Sequence, residues 1–187
     1  MKATALLTED HRQIARALKV LAHLSARTSR NGVIDANSAK DLLDFLQQFA
    51  DRHHQGKEEG LFFPALLQDR DQKNYRSLSA LIFEHNRERS LCEGLEESIR
   101  AQKAQDFVHY ADRIVEVLQD HIDREEHQLF RLAEDTLDAK QDERVAADLQ
   151  NYERSWQETG LPNLLEKLST LEANYLGVKN GRRAAHG

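Results

Sequence analysis

Only two prolines and eight glycines punctuate 187 residues. A sandwich or barrel needs frequent turns, so a chain with so few breakers is left with long helices. Between the breakers, apolar residues recur in steps of three and four, which places them on one helix face. The first such segment runs over 4–29, with the stripe Leu7, His11, Ile14, Leu18, Leu21 and Ser25, and Asn31-Gly32 reads as the turn after it. The second covers 38–68, with Leu43, Leu46, Ala50, His54, Glu58, Leu61 and Ala65. Asn37 or Ser38 is expected to cap it, and Pro64 to kink its last turns or end it early. The third covers 74–103, with Leu78, Leu81, His85, Cys92, Leu95 and Ile99. The fourth covers 106–137, with Phe107, Ala111, Ile114, Leu118, His121, Glu125, Leu129 and Leu132. Short connections make neighbouring helices antiparallel. The expectation is an all-α chain, with an up-down-up-down four-helix bundle over 1–140. Residues 141–177 read as an accessory helical segment, broken at Gly160-Leu161-Pro162 and packed outside the bundle or in a homodimer contact; 178–187 reads as a mobile tail.

Composition narrows the function classes. The lone Cys92 excludes an internal disulfide framework and a cysteine zinc finger. No apolar run approaches the roughly 20 residues of a membrane span, and 1–10 lacks the apolar core of a signal peptide, so no membrane partner and a cytoplasmic location are expected. A net charge of −6 argues against a nucleic-acid partner. The one basic cluster, Arg182-Arg183, lies in the tail.

The stripes are not purely apolar. Each carries one His, and two also carry a Glu: His11, then His54 with Glu58, then His85, then His121 with Glu125. A Glu facing a core is costly unless its charge is compensated. In each HxxxE pair both side chains leave one helix face about one turn apart, within reach of a common ion. About 18 residues separate His11 from the end of its segment, and about 16 separate His54 from the start of the next; at about 1.5 Å per residue the two levels agree within about 3 Å. The same reckoning brings His85 and His121 to that height. A weak internal repeat, HxxxEE followed by LFFPAL at 61–66 and by HQLFRL at 127–132, gives each half of the chain a lone His and an HxxxE helix. Such pseudo-two-fold order suits two metal ions sharing bridging ligands. Four imidazoles and two carboxylates suit iron, manganese or zinc. If each Glu bridges, octahedral ions keep room for an oxo or hydroxo bridge and an exogenous ligand, which is what O2, NO or peroxide chemistry needs.

These residues resemble the hemerythrin-like, or HHE cation-binding, family. The matching stretches are 6–14 around His11, 54–59 with Leu61-Phe62-Phe63-Pro64, Glu84-His85 followed by Arg89, and 121–126 with Leu129-Phe130. The resemblance implies a four-helix bundle holding a non-haem di-iron centre, with His11, His54, His85 and His121 as terminal ligands and Glu58 and Glu125 as bridging ones. It implies a small diatomic or peroxide as ligand. It also admits an enzyme with peroxidase, catalase or oxidase activity, or an iron-handling or stress-repair role. The oxygen carriers of the family have a fifth His ligand; this chain offers no equivalent, and Arg131 replaces the proline of a second LFP. The missing fifth His favours oxidase-like or peroxide reactivity over reversible O2 carriage.

The other polar residues have plainer readings. His53 lies about 100° round the helix from His54 and belongs to a second layer or the surface. His127, about 9 Å along the axis from His121, is rejected as a ligand. Glu9, Asp10, Glu59 and Glu126 read as solvated, or as carboxylates of which one bonds the outer nitrogen of a ligand His. Glu84 and Arg89 read as a polar pair, Tyr152 and Trp156 as packing, and Cys92 as a small core residue.

Overall fold

The computed structural model describes residues 1–67 and 72–177, and every element among them is helical. Helix α1 (Lys2–Asn31) ends at Gly32, whose left-handed φ of 69° lets its N–H reach the Thr28 carbonyl at 2.8 Å. Helix α2 (Ala36–Phe45) is capped by Asp35, which accepts from the Ser38 N–H, so the cap lies earlier than Asn37 or Ser38. An Asp just outside the helix reaches the third N–H; Asn37 and Ser38 are already inside it. The rod continues through wide turns at Leu46–Gln55 and Glu58–Phe62, which close i→i+5 hydrogen bonds, into the short α3 (Phe63–Leu66). Pro64 opens α3, and the rod ends two residues later; Gln68, the expected end, lies outside the described residues.

Helix α4 (Gln72–Arg100) follows, then α5 (Ala104–Arg124), which runs through another wide turn at Glu125–Leu129 into α6 (Phe130–Thr136). Asp138 and Gln141 form a reciprocal cap that starts α7 (Ala139–Thr159), and Gly160, at φ 138°, separates it from α8 (Leu161–Leu176). No described helix is long and apolar enough to cross a membrane. The expected tail at 178–187 lies outside the described residues.

The wide turns move the buried face. Within the turn at 58–62 the chain buries Phe62 and leaves the expected Leu61 half-exposed. Beyond the turn at 125–129 it buries Ala133 and leaves the expected Leu132 half-exposed. The inward stripe slips by one position inside the first turn and after the second, while the expected Ala65 and Leu129 stay buried.

Packing follows from the stripes. On α1 and the α5 rod, His11 meets Glu126 while Ser25 donates to Asp112 at 2.6 Å, so the two run in opposite directions. Glu84 meets His121 while Gly94 abuts Tyr110, so α4 and α5 do the same. The core comes in two pieces. One contains Ile14, Leu18, Leu46, Phe49, Leu95 and Leu118; the other contains Leu7, Phe62, Leu81, Leu129 and Ala133. On all four rods the residues between these pieces are the His and Glu of the stripes.

The last two helices pack on the same chain. Leu161, Leu164, Leu168 and Leu171 of α8 join the first core piece, and Glu172 takes the Arg16 guanidinium at 2.5–3.1 Å. Val145, Ala146 and Leu149 of α7 join the second. Asp142 accepts from the N–H groups of Lys2 and Ala3 at 2.8 and 3.0 Å, compensating an α1 N-terminus without a cap of its own.

Candidate metal centre

All six sequence-predicted site residues meet in the layer between the two core pieces, and none is more than 2% exposed. The His11 and His54 rings lie edge to face with centroids 4.8 Å apart, and so do those of His85 and His121. The carboxylates stand between the two ring pairs. Glu58 sets one oxygen 3.6 Å from His54 Nε2 and the other 3.5 Å from His85 Nε2. Glu125 sets one oxygen 3.2 Å from His11 Nε2 and the other 3.2 Å from His121 Nε2. Each carboxylate thus offers one oxygen to each ring pair, and the result is two four-residue groups that share Glu58 and Glu125. In both groups the ligand atoms lie within 4.8 Å of one another.

The outer ring nitrogens are all held by carboxylates. His11 Nδ1 lies 2.9 Å from Glu126, His54 Nδ1 3.2 Å from Asp10, His85 Nδ1 2.7 Å from Glu59 and His121 Nδ1 2.8 Å from Glu84. A carboxylate accepts the Nδ1 proton and leaves the Nε2 lone pair facing inward, the arrangement that orients a metal-binding His. The repeat is kept throughout. Residues 59 and 126, each following the Glu of an HxxxE pair, support the lone His of the other half. Residues 10 and 84, each preceding a lone His, support the HxxxE His. Lys57 and Arg124, equivalent in the repeat, hold Asp10 and Glu84 at 2.5 and 3.0 Å. Phe63 and Phe130, also equivalent, stack on His85 and His11.

Burial and mutual charge shift the protonation of the layer's own groups. Burial, together with the neighbouring Glu125 charge, raises the Glu58 carboxyl well above its ordinary range. Glu125 is held well below that range despite its burial, because His121 and His11 flank it. Burial would lower His121, but Glu125 and Glu84 drive it up to about 11. Burial holds His54 down at about 4, so it stays neutral beside Asp10. Protons therefore supply the positive charge the layer requires. The donors themselves fit a metal: His11 Nε2, His54 Nε2 and both oxygens of Glu58 and of Glu125 have no hydrogen-bond partner, an arrangement too costly to keep for packing alone.

A third acidic group, Asp10, His53 and Glu153, also has metal-ligand spacing. Lys57 Nζ already stands there, 2.5 Å from Asp10 and 3.0 Å from Glu153, so an ammonium takes the place a cation would need. His53 is fully buried, bonds Glu153 at 2.8 Å and packs among Phe49, Tyr152 and Trp156. It is thus in the second layer rather than on the surface. His127 is exposed and bonded to the Asp123 carbonyl, away from the centre.

Two expectations need correction. Glu84 and Arg89 do not pair: Glu84 meets His121 and Arg124, while Arg89 bonds Asp51 at 2.7 Å and Glu59 at 2.8 Å. Five residues on an α-helix turn the side chains about 140° apart, toward different neighbours. Three of the four acidic candidates support a His, rather than one; only Glu9 stays outside, bonded to Arg12 and Gln13. Sequence reasoning also passed over Glu88 and Gln55. Gln55 Nε2 donates to Glu88 Oε2, burial pushes the Glu88 carboxyl up to about 7, and its Oε1 lies 4.0 Å from His121 Nδ1. Glu88 falls between His85 and Cys92 on a stripe of steps three and four, and that spacing is the signal that reveals it.

The family model described as the hemerythrin HHE cation binding domain matches residues 2–133, well over half of the chain and inclusive of all six residues. No curated protein matches the chain, and neither does any solved structure.

Proposed function

The chain belongs to the hemerythrin HHE cation-binding family, and from that premise we propose that it is a non-haem di-iron protein that binds or senses O2, NO or peroxide. In this reading 1–140 is an up-down-up-down four-helix bundle formed by α1, the rod over 36–66, α4 and the rod over 104–136, and 141–177 is its accessory segment. His11 and His54 hold one ion, His85 and His121 the other, and Glu58 and Glu125 bridge them. A pair of such ions supplies Lewis acidity and, if iron, one-electron redox chemistry.

The chain's own residues do the rest. Asp10, Glu59, Glu84 and Glu126 fix the four imidazoles with Nε2 inward. Phe63 and Phe130 cover two of the rings and exclude water from them. The observation that carries the reading is the sharing of each buried carboxylate between two His pairs.

Metal analysis with anaerobic titration of O2, NO and peroxide tests it. The expected result is about two iron atoms per chain and a visible spectrum that changes with one of the three; protein that takes up no metal after reconstitution refutes it. The alternative, a di-iron enzyme of peroxidase, catalase or oxidase type, gains support from a cavity lined in part by Glu88, whose Oε1 lies 4.0 Å from His121 Nδ1. Sustained turnover, as opposed to stoichiometric binding, decides for it.

A further inference from the structure

The register that pairs His11 with His85 and His54 with His121 also pairs Ala3 with Ser77, Leu6 with Ala80, Leu7 with Leu81, Phe62 with Leu129 and Lys57 with Arg124. The first members of these pairs form the seat of α7. Ala3, Leu7 and Phe62 share a core piece with Val145, Ala146 and Leu149, and Leu6 packs against it. The second members line one groove of about 560 Å³ between α4 and the rod over 104–136. Exposure differs accordingly. Ala3 is fully buried and Ser77 exposed, Leu6 half-buried and Ala80 exposed, and the side chains of Lys57 and Arg124 are 2% and 43% exposed. Lys57 stands between two carboxylates, Asp10 at 2.5 Å and Glu153 of α7 at 3.0 Å. Arg124 holds the equivalent of the first, Glu84, at 3.0 Å, and the place of the second is in the groove.

The groove also differs from the seat in ways that select its occupant. Asp123 and Asp120 replace Gly56 and His53, over which α7 sets Tyr152 and Trp156. A Cβ at 56 would lie 2.8 Å from the Tyr152 hydroxyl, and Asp123 has one, so the α7 of a second copy does not fit here. Trp156 would strip water from the Asp120 carboxylate without replacing its hydrogen bonds. A basic side chain suits both positions. Past Arg124 the groove continues along α4 to Phe83, which is 71% exposed where the repeat gives α1 Glu9. An aromatic beside an arginine is what anchors many protein partners. We propose that this groove docks an amphipathic helix of another protein. That helix has apolar residues spaced as Val145, Ala146 and Leu149, a carboxylate for Arg124 at the place of Glu153, and a basic residue for Asp120 one turn later. The inference stands whichever ion the centre holds.

The probe is a labelled peptide of the α7 sequence, 139–159, carrying Tyr152→Arg and Trp156→Arg and held helical by a hydrocarbon staple between the exposed positions 144 and 148. Fluorescence anisotropy against the full chain is expected to give one-to-one binding with a Kd of about 100 µM or tighter. Glu153→Lys in the peptide is expected to weaken it about ten-fold or more. So is Ala80→Glu/Gln128→Glu in the protein, at two exposed positions, where Gln128→Glu supplies Arg124 with a carboxylate one turn along its own rod. Circular dichroism and metal content of that protein are expected to match wild type. No binding at about 1 mM peptide, undiminished binding to the protein variant, or indifference to Glu153→Lys overturns the proposal. An unaltered α7 peptide that binds as tightly as the arginine form shows displacement of the native helix from its seat and overturns it too. A wild-type dimer in sedimentation that the protein variant dissociates gives the groove to a second copy, against the proposal.

Discussion

The two halves of the centre are near copies in their ligands and differ in what surrounds them. Around His54 the second layer is closed: Asp10, Lys57, Glu153 and His53 form a continuous network, roofed by Tyr152 and Trp156 of α7. Around His121 the equivalent carboxylate, Glu84, has Arg124 for its cation, and the neighbouring Glu88 bonds Gln55 and lines a cavity of about 270 Å³. The repeat thus places the same residue types in both halves, and only their surroundings differ.

The largest expected effect tests whether the halves are separable. Glu58→Ala or Glu125→Ala removes a ligand from both, so metal content is expected to fall from about two ions per chain to nearly none. His54→Ala or His85→Ala is expected to leave about one. Plasma emission analysis distinguishes these outcomes, and a His54→Ala protein without any metal shows that the halves fill only together. Next come the supports. Asp10→Asn and Glu84→Gln are each expected to weaken metal affinity about 10- to 100-fold in competition with a chelator, and equal losses show that the closed network around Asp10 adds nothing to binding.

Removing the metal is expected to lower the melting temperature. A hundred-fold excess of ion over its Kd contributes about 2.7 kcal/mol, or roughly 5–10 °C for a chain of this size; equal melting in calorimetry contradicts the coupling. The metal-free protein should also show the halves in its pH profile. His54, held down at about 4 against an ordinary 6.5, makes the unfolded chain the stronger proton binder between those values, so stability falls as the pH drops through that window. His121, driven up to about 11 from 6.5, gives stability that is present below 6.5 and lost as the pH rises toward 11. Glu88, pushed up to about 7, and Glu58, raised well above its ordinary range, act in the same sense as His121 and offset His54 below pH 6.5, so melting temperature is expected to fall as the pH rises above 7, and an unchanged melting temperature from pH 7 to 9 contradicts this. The smallest effect belongs to His53→Ala, expected to lower stability through lost packing under α7 and to leave the metal content unchanged.

Much of this was legible in the sequence, because a helix turns a three-and-four spacing into a shared face. His11, His54, Glu58, His85, His121 and Glu125 came out at one height by counting along four rods. Leu61 and Leu132 were misplaced because apolar spacing carries no mark of a wide turn; the extra residue shows only as a slipped stripe. Lys57, Glu84 and Glu153 were not assigned their roles because each acts across a helix interface, and spacing within one helix says nothing about what lies opposite. Glu88 lay on its stripe but was passed over, since a charged residue at an inward position is usually counted as solvated.

Gly56 sits between His54 and Glu58, where a side chain would place Cβ 2.8 Å from the Tyr152 hydroxyl, itself bonded to the Arg52 carbonyl at 2.9 Å. A glycine there costs the rod roughly 1 kcal/mol relative to alanine. Its counterpart in the repeat is Asp123, which faces solvent with 73% of its side chain exposed. The missing methyl group leaves the Tyr152 hydroxyl its place on the Arg52 carbonyl, so one of two duplicated arms accepts a contact from α7 that a side chain at 56 would displace.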